Sequence, residues 1–361
     1  VVAPKKKAAD RAVEVLREVA RDGDVQKAAA AAVATGAAAT AGKLGLARAA
    51  ARRERDESRA FRLYVEEPVP DGIRRIARSQ IDEALERLEG ESGEDLGTSV
   101  HEARKGLKRL RATVRLVRTE LGPEAYRREN TTFRDVGRRL AGTRDAQVLV
   151  ETLDALCACY ADEVPAVAAG RLRLILAAEH ETAQQRLADD APAVGEAVEE
   201  LRAARARVAT WAFGHTGFDA LAPGLRRTYR RGRRAGRTAR ADPTTEHLHD
   251  WRKRVKDLWH ATQILAPAHP KRMAKLAKRV HELSDLLGDD HDLAVLDAEA
   301  ERRRREVGDA TELEALHALV ARRRADLQRQ AMAAGKRIYR PKPKAFVGDV
   351  ARRWRKRVSG S

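Results

Sequence analysis

The feature that most constrains this chain is a cationic run led by histidine and written twice on helical spacing. It reads His101-Glu102-Ala103-Arg104-Lys105-Gly106-Leu107-Lys108 and returns as His249-Asp250-Trp251-Arg252-Lys253-Arg254-Val255-Lys256. At 3.6 residues per turn, positions i, i+3, i+4 and i+7 share a helix face. His101, Arg104, Lys105 and Lys108 therefore form one basic stripe, and His249, Arg252, Lys253 and Lys256 form another. Like charges one turn apart on an exposed helix cost roughly 0.2–0.5 kcal/mol per pair, a cost that a bound polyanion would relieve.

Other landmarks keep step with the stripes. His249 follows His101 by 249 − 101 = 148 residues, and Asp292 follows Asp145 by 292 − 145 = 147. The segment entering each half also matches. Pro70-Asp71-Gly72 leads to Arg74 and Arg78, and Pro223-Gly224 leads to Arg226 and Arg230, each pair one turn apart. These four arginines are expected to line the same basic surface. A period this long exceeds that of solenoid repeats and points to a duplicated helical bundle.

Apolar residues recur at helical spacing and aromatics make up only 4% of the chain, so the expected class is all-α, with two duplicated halves of about six helices each. The expected division is an Ala-rich basic extension over 1–60, a first half over 61–215 and a second over 216–361. The histidine helix is expected to stop at Gly122-Pro123 and its counterpart before Pro267. Breaks are expected at Gly142-Thr143-Arg144-Asp145 and at Gly288-Asp289-Asp290-His291-Asp292, where Asp145 and Asp292 would start the next helix rather than bind ligand.

Lys and Arg number 72 against 54 Asp and Glu, a formal charge of +18, so an anionic partner is expected. The two cysteines, Cys157 and Cys159, are too close on one helix to pair or to hold zinc unaided, which suits a reducing compartment. No secretory signal is visible. The Ala-rich run over 28–51 is interrupted by Gly36, Gly42, Lys43 and Gly45, so no membrane partner is expected.

Two rival functions arise from the residues. His249-Asp250, His281 and His291-Asp292 are similar to the ligands of metal-dependent phosphohydrolases, yet the first half carries Arg144-Asp145 and Arg134 at the matching places, and no Gly-rich phosphate loop is present. Nonspecific nucleic-acid binding is compatible with the charge, although the scarcity of aromatics argues against single-strand stacking platforms and no DNA-reading module is recognisable.

Both histidine motifs, the pattern Leu-x-x-x-[Arg/His]-Asp at 140–145 and 287–292, and the closing run Arg337-Ile338-Tyr339 to Pro343-Lys344-Ala345-Phe346 resemble a CHAD domain over residues 65–358. That resemblance implies two pseudo-symmetric helical bundles around a basic central groove or pore and binding of inorganic polyphosphate, with His101, Arg104, Lys105, Lys108, His249, Arg252, Lys253 and Lys256 in that basic surface. It also implies attachment to polyphosphate granules, and the expected reading is a cytoplasmic protein that performs no covalent chemistry and uses no cofactor or metal. Arg109 is matched by Asp257 and Arg111 by Trp259, so the second stripe is less basic at its far end. Glu102 and Asp250 are expected to pair with neighbouring helices.

Overall fold

The computed structural model describes residues 60–90, 95–140, 144–189 and 191–359, with side chains described from 147 to 186 and from 192 onward in the latter two stretches. The extension expected over 1–60 lies outside these residues except at its last position. Twelve α-helices and two short 3-10 turns make up the regular structure, with no strand among the described residues. The chain is all-α.

In chain order the helices are α1 (Val69–Leu88), α2 (Leu96–Leu116), α3 (Arg118–Arg139), α4 (Arg144–Cys159), α5 (Ala166–Asp189) and α6 (Ala191–Val208). They continue as α7 (Ala222–Ala241), α8 (Thr245–Ile264), α9 (Pro270–Arg302), α10 (Arg304–Val307), α11 (Ala310–Ile338) and α12 (Pro343–Val358). The two histidine helices start alike. Asp95 accepts from the Thr98 N–H at 3.0 Å before α2, and Thr244 accepts from the His247 N–H at 3.2 Å before α8. Each satisfies one of the orphan donors of a first turn.

Two expected boundaries fall elsewhere. Helix α2 ends at Leu116, ahead of Gly122-Pro123, and Gly122 instead kinks α3 with φ 74°. A left-handed residue followed by proline breaks the hydrogen-bond ladder, but the helix resumes because Pro123 needs no donor at a new first turn. The break expected at 288–292 is absent, since α9 runs unbroken from Pro270 to Arg302. Asp292 therefore sits in mid-helix and starts nothing. A lone glycine costs about 1 kcal/mol in a helix interior, whereas Leu283, Leu287, Leu293 and Leu296 on this stretch are all buried, each contributing about 1.5–3 kcal/mol. Burial decides the outcome.

The core forms three clusters. The first joins α1, α2, α3 and α6 with Met273 and with Val347, Val350, Ala351 and Trp354 of α12. The second joins α4 and α5 to the later part of α9, α10 and the first part of α11. The third joins α7 and α8 to the earlier part of α9 and the end of α11. Helices from before and after residue 215 thus share cores.

Buried charges act as clamps between helices. Glu129 of α3 is fully buried and takes two bonds from Arg207 of α6 at 2.9 and 3.0 Å. Asp290 of α9 takes bonds from Arg324 at 3.1 Å and Gln328 at 2.8 Å, both on α11. Part of the closing run has a structural task. The Tyr229 hydroxyl of α7 donates toward the carbonyls of Ile338 (3.0 Å) and Pro341 (3.1 Å), and its ring stacks on Phe346 at 4.1 Å. This contact positions the start of α12.

The approach of α7 to α2 is closest at Gly224, where an added Cβ would lie 1.7 Å from the Leu116 carbonyl oxygen. Gly224→Ala is expected to lower stability by about 1–3 kcal/mol through forced backbone shifts. Gly195→Ala, at an exposed position of α6 with nothing near its Cβ, is expected to raise stability by about 0.5–1 kcal/mol. Urea unfolding of the two variants checks both signs.

Candidate functional site

Helices α2 and α8 pack against each other, and so do α8 and α9. The consequence is a junction at which the two stripes meet. Lys108 of α2 and Arg252 of α8 lie close enough to Lys256 for their charges to act on it, as do Asp292 and Asp285 of α9. Arg252 lies over Gly288 of α9, where an added Cβ would be 3.4 Å from its Nε and from one terminal nitrogen. His249 packs on His291 with ring centroids 4.2 Å apart. The glycine that does not break α9 thus sits directly beneath the Arg252 guanidinium.

The other predicted residues are dispersed. His101 and Lys105 lie near Glu102, with the Lys105 ammonium 2.8 Å and the His101 Nε2 3.9 Å from its carboxylate. His101 opens on a different cleft of roughly 360 Å³ that includes Gln147, His180 and Gln184. The Glu102 carboxylate also feels the charge of Arg87 on α1, and Asp250 acts across to Arg231 of α7. Asp250 pairs within α8, with Lys253 at 3.6 Å and Arg254 at 3.0 Å. At one turn's separation the intrahelical partner is the shorter reach. Arg104 is half-buried on α2.

Arg74 has a structural task, donating to the Trp211 carbonyl at 2.7 Å and to Asp71 at 2.9 Å. It shares with Arg78 a cleft whose lining includes Asp71, Asp82, Glu83 and Glu86. Four carboxylates make that cleft unsuited to a polyanion. Arg226 and Arg230 instead line an arginine cleft beside α7, on the other flank of α8. Arg227, Arg231, Arg234 and Arg237 of α7 join them, with Arg115 and Arg118 from the α2–α3 junction. The sequence reading missed these six. The signal for the four on α7 was available in the eight arginines of Arg226 to Arg240, a denser run than either histidine motif.

Burial and crowding set the charge states at the junction. Burial, then Arg252 and Lys108, push the Lys256 ammonium down to about 8, with Asp292 and Asp285 partly offsetting them. Burial, then His291, Lys253 and Arg252, push His249 down to about 4. His291 is lowered as well, through burial and Arg252. Across the crossing, burial beside Arg115 and Arg134 takes Arg111 down to about 10, opposed by Asp257, which leaves it charged at neutral pH. The junction is thus a desolvated cationic site with two neutral imidazoles beside it. Among the described residues no group of three or more His, Cys, Asp or Glu side chains is arranged to hold a metal ion, and no helix is long and apolar enough to cross a membrane. Cys157 and Cys159 are both free thiols.

These shifts have a pH consequence. His249 binds its proton less readily when folded than when unfolded, so its stability contribution is complete above about 6.5, the ordinary imidazole value. It is lost as pH falls from there toward about 4. His249→Gln is expected to flatten this acid loss by on the order of 1 kcal/mol, allowing for partial solvent screening. Thermal unfolding at pH 7 and pH 4.5 measures the difference between wild type and variant.

The geometry can be set beside known proteins. A search of curated proteins finds no match. Among solved structures, PptA from Streptomyces chartreusis superposes with a TM-score of 0.54 at 17% identity, covering 76% of this chain and 100% of that chain. An identity this low speaks for the fold alone. The CHAD domain profile matches residues 75–301, which takes in both histidine helices and the junction between them but stops before the closing run around Tyr339. By a match over more than half its length, the chain belongs to the CHAD domain family.

Proposed function

We propose that this protein binds inorganic polyphosphate at the junction of α2 and α8, by charge and hydrogen bonding and without covalent chemistry. The observation that carries the reading is the convergence of Lys108, Arg252 and Lys256, cations from two helices whose charges act on Lys256, with Arg252 and Lys256 partly buried and Lys108 exposed. Desolvated like charges are costly, and a multivalent anion relieves that cost wherever it can touch all of them. Arg252 offers a planar fork to phosphate oxygens, while the two lysines offer adjustable point charges. A chain of linked phosphates has no bases to read, so charge and donor geometry suffice for its recognition. Family membership makes polyphosphate the expected polyanion, and attachment to polyphosphate granules follows from such affinity in a cell that holds them.

Nucleic acid is the second reading, favoured by the net charge of +18 and by the general affinity of basic surfaces for phosphate backbones. Its sugars and bases make it the bulkier ligand at a partly buried junction. Long-chain polyphosphate is expected to displace duplex DNA and RNA at equal phosphate concentration and fixed salt. Tighter binding of duplex DNA would assign the surface to nucleic acid.

A second test uses Lys256 directly. Because its ammonium is lowered to about 8 in the unliganded protein, a bound anion raises that value, and binding near pH 8 takes up a proton. Calorimetry in two buffers of different ionisation heat is expected to show this uptake. Lys256→Arg is expected to abolish the uptake while keeping binding, since arginine stays charged at this pH.

A further inference from the structure

Helix α5 carries apolar side chains on both its inner and its outer face, whereas a surface helix ordinarily keeps the outer face polar. The inner face is accounted for. Ala168, Ala169, Leu172, Ile175 and Leu176 are buried in the second core, with α4, α10 and α11. The outer face holds Val167 at 39% exposure and Leu174 at 46%, two of the six large apolar side chains left exposed among the described residues.

That outer face has a regular period. Val167, Arg171, Leu174, Ala178, Glu181 and Gln185 follow one another at steps of four, three, four, three and four residues, and all six are exposed. This is the 3.5-residue period of a seam along which two helices pack. The seam is also symmetric about residue 176. Positions 171 and 181 are equidistant from it, as are 174 and 178, and 167 and 185. A second α5 laid antiparallel about a two-fold axis there sets Arg171 of one protomer against Glu181 of its partner, Leu174 against Ala178, and Val167 against the stem of Gln185. Opposite charges meet, and the large side chain meets the small one.

The charges on the flanks of α5 are used within the chain, and those on the seam are not. Arg173 pairs with Asp154 of α4 at 2.8 Å, and Glu179 pairs with Arg303 at the end of α9. Arg171 and Glu181 form no ion pair with a described residue. Nor does the overall charge oppose pairing at this place. Residues 144–189 hold four arginines and no lysine against eight carboxylates, so this segment is acidic although the whole chain carries +18.

We infer that the outer face of α5 is a self-association surface, through which two copies of this chain pair as antiparallel helices about a two-fold axis near residue 176. A single helix face is a small interface, so the dimer belongs to the weak, reversible class that buries less than about 1,200 Å². The surface uses no residue of the α2–α8 junction and stands apart from polyphosphate binding. On the polyphosphate reading, a dimer offers two junctions to one long polymer, and the second contact gains from the effective concentration set by the first.

The test is sedimentation velocity on the full chain without any polyanion, over a concentration series centred in the micromolar range. Wild type is expected to move from monomer to dimer as concentration rises and to stop there, because an isologous contact closes on itself. Leu174→Glu places an unpaired carboxylate in the seam and is expected to weaken the dimer by at least about tenfold. Arg171→Glu and Glu181→Arg each set like charges opposite one another twice per dimer, and each is expected to weaken it by about fivefold or more. Combining Arg171→Glu with Glu181→Arg restores the opposition of charge and is expected to return association to within about twofold of wild type. All three positions are exposed, so the fold is expected to survive, and circular dichroism checks this. A chain that stays monomeric throughout, as a face covered within the chain or by another protein would leave it, would overturn the inference. So would growth beyond the dimer, or a charge swap that fails to recover association.

Discussion

The structure depends on packing two cation-bearing helices against each other. Helices α2 and α8 each bury an apolar face, Leu107 and Leu110 in the first core and Val255 and Leu258 in the third, and Ala261 and Ile264 at the end of α8 join the first. At about 1.5–3 kcal/mol for each such side chain, burial outweighs repulsion of a few tenths of a kcal/mol per exposed like pair. The chain therefore holds cations together at the junction and uses local counter-charges to limit the cost. Asp285 and Asp292 act on Lys256, while Asp257 takes Arg115 and lies close to Arg254. What remains is positive potential that an external anion can occupy.

The same economy of counter-charge separates the basic surfaces. Glu102 sits beside Lys105 and His101, Asp250 beside Lys253 and Arg254, and the carboxylates of α1 beside Arg74 and Arg78. These cations are partly neutralised where they stand. Lys256 remains strongly perturbed, and of the exposed arginines of α7 Arg231 has Asp257 and Asp250 near it, while no carboxylate lines the cleft along Arg227, Arg230, Arg234 and Arg237. A count of basic residues would rank all these places alike, but the placement of carboxylates does not.

Much of the fold was legible because helical periodicity and capping are local. Asp95 and Thr244 begin the histidine helices, and α8 ends just before Pro267. The continuity of α9 through Gly288 was not legible, because it depends on burial against α4 and α11, which lie far away in sequence. At the site, the two stripes include Lys108, Arg252 and Lys256, which the structure brings near one another, yet i, i+3, i+4 and i+7 spacing says nothing of where a second helix crosses. His101 and Lys105 fall short of the crossing and His291 arrives from α9. The α7 arginines were legible but overlooked, since a search anchored on histidine passes over a stripe that contains none.

The central claim is that Lys108 and Lys256, on different helices, serve one anion. A double-mutant cycle on long-chain polyphosphate affinity measures it, with Lys108→Ala, Lys256→Ala and the pair at one salt concentration. Residues that share a bound ligand couple, whereas distant and independent sites add within about 0.3–0.5 kcal/mol. The account predicts that the double variant departs from the product of the single effects by at least about fivefold, or about 1 kcal/mol. Multiplicative losses, with each lysine acting without regard to the other, would contradict it.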